Sequence, residues 1–241
     1  MSLGRDSHAR FATTRWSLVR AAGGGEGGAR AALEELCGLY WYPLYAYARR
    51  RGHSPDDARD LVQGLFARFL AKDPLARIDE SGGRFRSYLL VAWKHHEANE
   101  LASARAAKRG GDIATLPLLE DAEERYAREP ADANTPERLF ARKVALALLE
   151  RVLALLRAEQ VAKGHGERFD RLKVLLSPGE TAERMGEVAR ELGIEEGAAR
   201  TALHRLRARY RELLLQEVAR TVDRPQDVED ELRELFEALG A

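Results

Sequence analysis

The chain has 241 residues, 45% hydrophobic and 32% charged, with 39 Lys and Arg balanced by 39 Asp and Glu. That length suits two modest domains, and the polarity argues against a membrane protein; no apolar run reaches about eighteen residues and no signal-peptide apolar core opens the chain, so a cytoplasmic protein without membrane insertion is expected. Cys37 is the only cysteine, which excludes an intramolecular disulfide and argues against a cysteine-based zinc site.

Zero net charge conceals a segregated layout. Basic clusters at 49–51, 84–86, 105–109 and 200–211 are offset by acidic stretches at 120–124 and 223–237. Such a layout suits a protein that holds nucleic acid with some surfaces and protein with others.

The pattern predicts an N-terminal segment (1–28), with a short helix starting at Thr13 or Thr14 and a GGGEGG joint after Ala22. Residues 29–51 read as a long helix with Leu33, Leu36, Cys37, Tyr40, Trp41, Leu44 and Tyr47 on its apolar stripe. Pro43 should bend or divide that helix. Ser54 as N-cap and Pro55 at the first helical position open a second helix, with Leu61, Val62, Leu65, Phe66, Phe69 and Leu70 in period. A third runs from about Phe85 to the Gly110-Gly111 stop, with Phe85, Tyr88, Leu89, Ala92 and Trp93 inward. Residues 29–111 are thus expected to form a helical bundle.

Acidic, proline-interrupted residues 112–135 read as an irregular interdomain linker. Thr135 and Pro136 start a second domain, 136–216, whose first helix breaks at Gly164 and is followed by a short helix around Phe169–Leu176. A helix-turn-helix follows at 185–214: Met185, Val188, Ala189 and Leu192 in period, then Gly193, then a long helix. On that helix Ala199, Leu203, Leu206, Tyr210 and Leu213 make an apolar stripe beside a cationic one of Arg200, His204, Arg207 and Arg211. Such a helix packs on one side and offers charge to phosphates on another; base-edge contacts come from its N-terminal part, here Glu196, Arg200, Thr201, His204 and Arg205. Residues 217–241 read as a capped acidic amphipathic helix. No stretch resembles a strand, so the fold class is all-α.

No catalytic set converges, and neither enzymatic activity, a cofactor nor a metal is expected. His95-His96 with Glu97 and Glu100 is the nearest approach to a metal site, but adjacent residues project about 100° apart on a helix, so these are read as solvated histidines.

A helical domain, an acidic linker and a helix-turn-helix in this order resemble a divergent bacterial RNA polymerase sigma factor of the extracytoplasmic-function type. DDARDLVQGLFARFL (56–70) resembles the helix that docks on the polymerase β′ coiled coil; FRSYLLVAWKHHEANEL (85–101) is similar to the helix that melts and reads the −10 element; LGIEEGAARTALHRLRARYRELL (192–214) resembles the −35 recognition helix. The resemblance implies that Asp60, Leu61, Gln63 and Phe66 bind core polymerase, whose β′ and β subunits would be the chain's partners. It implies −10 DNA contacts from Arg84, Arg86, Tyr88, Trp93, Lys94, His95, Asn99, Arg105, Lys108 and Arg109. For the −35 element it implies Glu196, Arg200, Thr201, His204, Arg205 and Arg207. Promoter DNA and core polymerase would be the partners, with an anti-sigma factor or other regulator left open. Gly64 departs from the family's acidic residue at that place, and 217–241 is an addition. A DNA-binding regulator or a polymerase-binding adaptor without promoter opening are the alternatives.

Overall fold

The computed structural model describes residues 27–71, 83–106, 121–128, 135–176 and 182–240. Among them the secondary structure is helical, with no strand beyond an isolated antiparallel bridge between Arg84 and Val222. The helix expected near Thr13 lies outside the described residues. None of the described helices is long and apolar enough to cross a membrane. The chain divides into two compact units, Met1–Ala147 with Val218–Ala241, and Leu148–Glu217.

The first unit is built round α1 (Gly27–Arg50). It starts inside the glycine run read as a joint, because the first turn of a helix leaves its own N–H groups unpaired and tolerates glycine. Leu44, Tyr45, Ala46, Tyr47 and Ala48 are all 0% exposed. Five successive buried residues exceed a full turn, so α1 is enclosed on every side rather than along one stripe. Pro43, expected to bend or divide the helix, lies inside one continuous element. The hydrogen bond lost at proline is outweighed by the packing of Trp41, Leu44 and Tyr45 around it.

Against α1 pack α2 (Pro55–Ala71) and α3 (Phe85–Ala106). The α2 start follows its sequence signal: Ser54 Oγ accepts the Asp57 N–H at 3.1 Å and donates to the Asp57 carboxylate at 2.7 Å. Tyr40 meets Phe85 edge-on at 4.9 Å between centroids, and Tyr47 meets Trp93 at 6.2 Å and 87°. Cys37, 5% exposed, has its thiol pushed up to about 12, chiefly by burial and then by Glu34.

Part of the segment read as an irregular linker is helical. α4 (Ala122–Ala127) docks on α1 through Glu123, which accepts from Arg49 at 2.7 Å, and through Arg125, which stands 4.0 Å over the Tyr42 ring. α5 (Pro136–Ala162) is capped by Thr135 Oγ1, which accepts the Arg138 N–H at 3.3 Å, and its Phe140 packs on Tyr47.

Within the second unit α5 ends before Gly164 (φ +74°), as its sequence requires. α6 (Gly166–Leu172) and a 3-10 turn (Lys173–Leu176) follow, then α7 (Ala182–Glu191) and α8 (Glu196–Ala219). Its buried residues include Val152 and Leu156 on α5, Phe169, Leu172 and Leu175 after it, Met185 and Val188 on α7, and Ala199, Leu203 and Leu213 on α8. Arg209 grips Glu159 with two bonds, at 2.9 and 2.6 Å, fastening α8 to α5.

The last element, α9 (Val228–Leu239), belongs to the first unit. Phe85 N–H donates to the Thr221 carbonyl at 2.9 Å and Asp223 N–H to the Gly83 carbonyl at 3.1 Å, so residues 221–223 seal the start of α3.

Candidate nucleic-acid interface

The helix-turn-helix forms from α7 and α8. Gly193 takes φ +62°, its N–H reaching the Arg190 carbonyl at 3.1 Å while Ile194 N–H reaches that of Ala189 at 3.1 Å. These are the two bonds of a Schellman ending, which glycine adopts at no steric cost and which turns the chain sharply into α8.

On α8 Ala199, Leu203, Leu206 and Leu213 are buried and Tyr210 half-buried, so the apolar stripe expected there is the packed one. The basic residues divide between two flanks. Arg200, His204, Arg207 and Arg211 lie on one, all exposed. Arg200 is paired with Glu196 one turn back, and Arg207 donates to the Leu175 carbonyl at 2.6 Å, so both are already engaged. Thr201 and Arg205 turn to the other flank, facing α6, and the Thr201 hydroxyl donates to the Gly197 carbonyl at 2.9 Å. The six residues expected at the −35 element thus share one helix but not one face.

The residues expected at the −10 element are scattered. Arg84 and Arg86 face α9: Arg84 Nε lies 3.0 Å and Arg86 Nε 2.7 Å from Glu231, and both also pair with Glu234. Burial would lower the Arg86 pKa, but the two carboxylates outweigh it and raise it. Tyr88 is half-buried and stacks on Phe69 at 5.9 Å; Trp93 is 0% exposed in the core. Lys94, His95 and Asn99 are exposed, with Lys94 3.4 Å from Glu137. Arg105 lies on α3, while Lys108 and Arg109 lie outside the described residues.

Among the expected polymerase contacts, Asp60 is exposed and Leu61 half-buried, whereas Gln63 is 7% and Phe66 0% exposed. Of these four, Asp60 and Leu61 are the ones a partner could reach. Gly64 has a physical reason: a Cβ there would stand 3.1 Å from His96 Nε2.

His96 itself corrects the reading of solvated histidines, being 4% exposed with Nδ1 3.0 Å from Arg68. Burial lowers its pKa, Glu100 opposing and Arg68 reinforcing. Glu97 is likewise buried; desolvation alone would raise its pKa, but bonds from His53 (2.6 Å) and Arg51 (3.0 Å) bring it below the ordinary value. Neither group is recognisable in the sequence, since both partners of Glu97 come from the α1–α2 turn. Both shifts act in one direction: a neutral His96 and an ionised Glu97 stabilise the fold at neutral pH. Urea midpoints should therefore fall as pH drops below the ordinary histidine value of 6.5, then again below the ordinary glutamate value of 4.5. His96→Gln should remove the first step and keep the second.

Comparison with known proteins finds no family model, no curated protein and no solved structure that matches the chain.

Proposed function

We propose that the chain is a promoter-specificity subunit of the sigma type, whose first unit engages core RNA polymerase and −10 DNA and whose second unit reads −35 duplex. The observation that carries this reading is the helix-turn-helix: a Schellman turn at Gly193 leading into a helix with Arg200, Thr201, His204 and Arg205 exposed in its first half. A helix of that kind fits the major groove with its N-terminal half at the bases. Transcription with purified core polymerase is the test, with promoter-dependent transcripts expected only when both components are present. In gel shifts on duplex DNA, Arg205→Ala should reduce the slope of log affinity against log salt by about one unit, and Arg200→Ala by less because Glu196 already neutralises it. An unchanged slope for Arg205→Ala would remove that side chain from the interface.

A second reading, a two-unit DNA-binding regulator that never engages polymerase, is favoured by the burial of Gln63 and Phe66. It predicts duplex binding by the protein alone and no comigration with core enzyme.

A further inference from the structure

The second unit holds a cleft of about 610 Å³ between the end of α5, the His165 turn, α6 and the first half of α8. That size falls among small-molecule sites. Its floor is apolar, from Phe169, Leu172 and Leu206, and no carboxylate lines it. Its rim is cationic. Arg209 is neutralised by Glu159 and Glu212. Lys163 from the turn after α5, Arg168 from α6 and Arg205 from α8 have no ion-pair partner among the described residues, and Arg168 Nε is buried without a hydrogen-bond acceptor. Glu159, already bonded twice by Arg209, is the one carboxylate among the described residues acting on Lys163, so the three cations are under-compensated, and a multivalent anion relieves their repulsion while satisfying the Arg168 Nε–H.

We propose that this cleft binds a phosphorylated small molecule, with its phosphates on Lys163, Arg168 and Arg205 and its remainder over the floor at Phe169, Leu172 and Leu206. The chemistry is that of a polyphosphate, free or carried by a nucleotide. Duplex DNA is the competing occupant, but a duplex is a convex rod that along α8 meets Arg205 alone of the three, whereas Lys163 and Arg168 stand across the hollow on the His165 turn and α6. The site stands on its own geometry and not on the promoter reading, although Thr201 and Arg205 are common to both.

Isothermal titration of the full chain with ATP, inorganic tripolyphosphate and adenosine tests it, alongside Lys163→Gln and Arg168→Gln, neither of which belongs to the expected −35 set. ATP should bind, and each substitution should raise its Kd about tenfold, the loss of one charge-assisted contact. Lys163 is exposed, so its substitution leaves folding unaffected, and circular dichroism checks Arg168→Gln. Tripolyphosphate binding as tightly as ATP identifies an inorganic anion as the ligand, and weaker binding identifies a nucleotide; both uphold the site. Absence of binding by ATP and tripolyphosphate, adenosine binding as tightly as ATP, or a Kd indifferent to both substitutions overturns it. So would binding of duplex DNA alone that Lys163→Gln and Arg168→Gln weaken. Loss of promoter-dependent transcription would leave these results unchanged, so the two readings fail separately.

Discussion

Glu231→Ala is expected to destabilise the first unit by about 3–5 kcal/mol, the range for removing one partner of a buried ionic cluster. The Glu231 side chain is 1% exposed and faces Arg84 and Arg86, whose side chains are only 22% and 14% exposed. Without it two guanidinium groups remain in a poorly hydrated place with only the half-exposed Glu234 to answer them. Glu234→Ala, at 46% side-chain exposure, should cost below about 1 kcal/mol. Urea unfolding followed by tryptophan fluorescence reads the difference, because Trp41 and Trp93 both lie in the first unit. Equal losses for the two glutamates would mean that the cluster is not held as described. In DNA assays Glu234→Ala should strengthen non-specific binding if Arg84 and Arg86 are phosphate-binding groups, since it withdraws one of their two competing anions.

Trp93→Ala is the second large effect, about 3–5 kcal/mol for a buried tryptophan cut back to alanine. Trp93 is 0% exposed and packs edge-on against Tyr47, itself 0% exposed on the enclosed helix α1. The cavity would open at the centre of the unit, and thermal melts by circular dichroism should record the loss. Trp93→Phe keeps an aromatic ring in the site and should recover most of the stability. On the proposed promoter function, any loss of activity in either variant should follow lost folding alone. A Trp93→Phe protein that folds normally yet loses a promoter-opening activity shown by the unaltered chain would contradict this and argue for a direct role of Trp93 at DNA.

The contrast between Trp93 and the helix-turn-helix shows which features the chain carries locally. The α7–α8 turn needs Gly193 and apolar residues within a few positions, all legible as period and punctuation, as were Ser54 and Thr135 at their helix starts. Periodicity also marked Trp93 as inward, but a resemblance drawn from short segments placed it at DNA, and periodicity does not decide between a core and a base pocket. Arg86 and Glu231 stand 145 residues apart, and no local pattern pairs them. The short α4 is hidden because its acidic residues resemble a solvated linker until Arg49 and Tyr45 of α1 meet Glu123. Pro43 does not divide α1 for a related reason, since it and its neighbours Trp41, Leu44 and Tyr45 are buried.

Because residues 221–223 bond to Gly83 and Phe85, and α9 supplies the acids for Arg84 and Arg86, helices made before the second unit are completed by one made after it. During synthesis the first unit must therefore wait with its seam unclosed while the whole of the second emerges from the ribosome. Such long-range closure is slow, which makes nascent chains halted before Val218 candidates for chaperone capture.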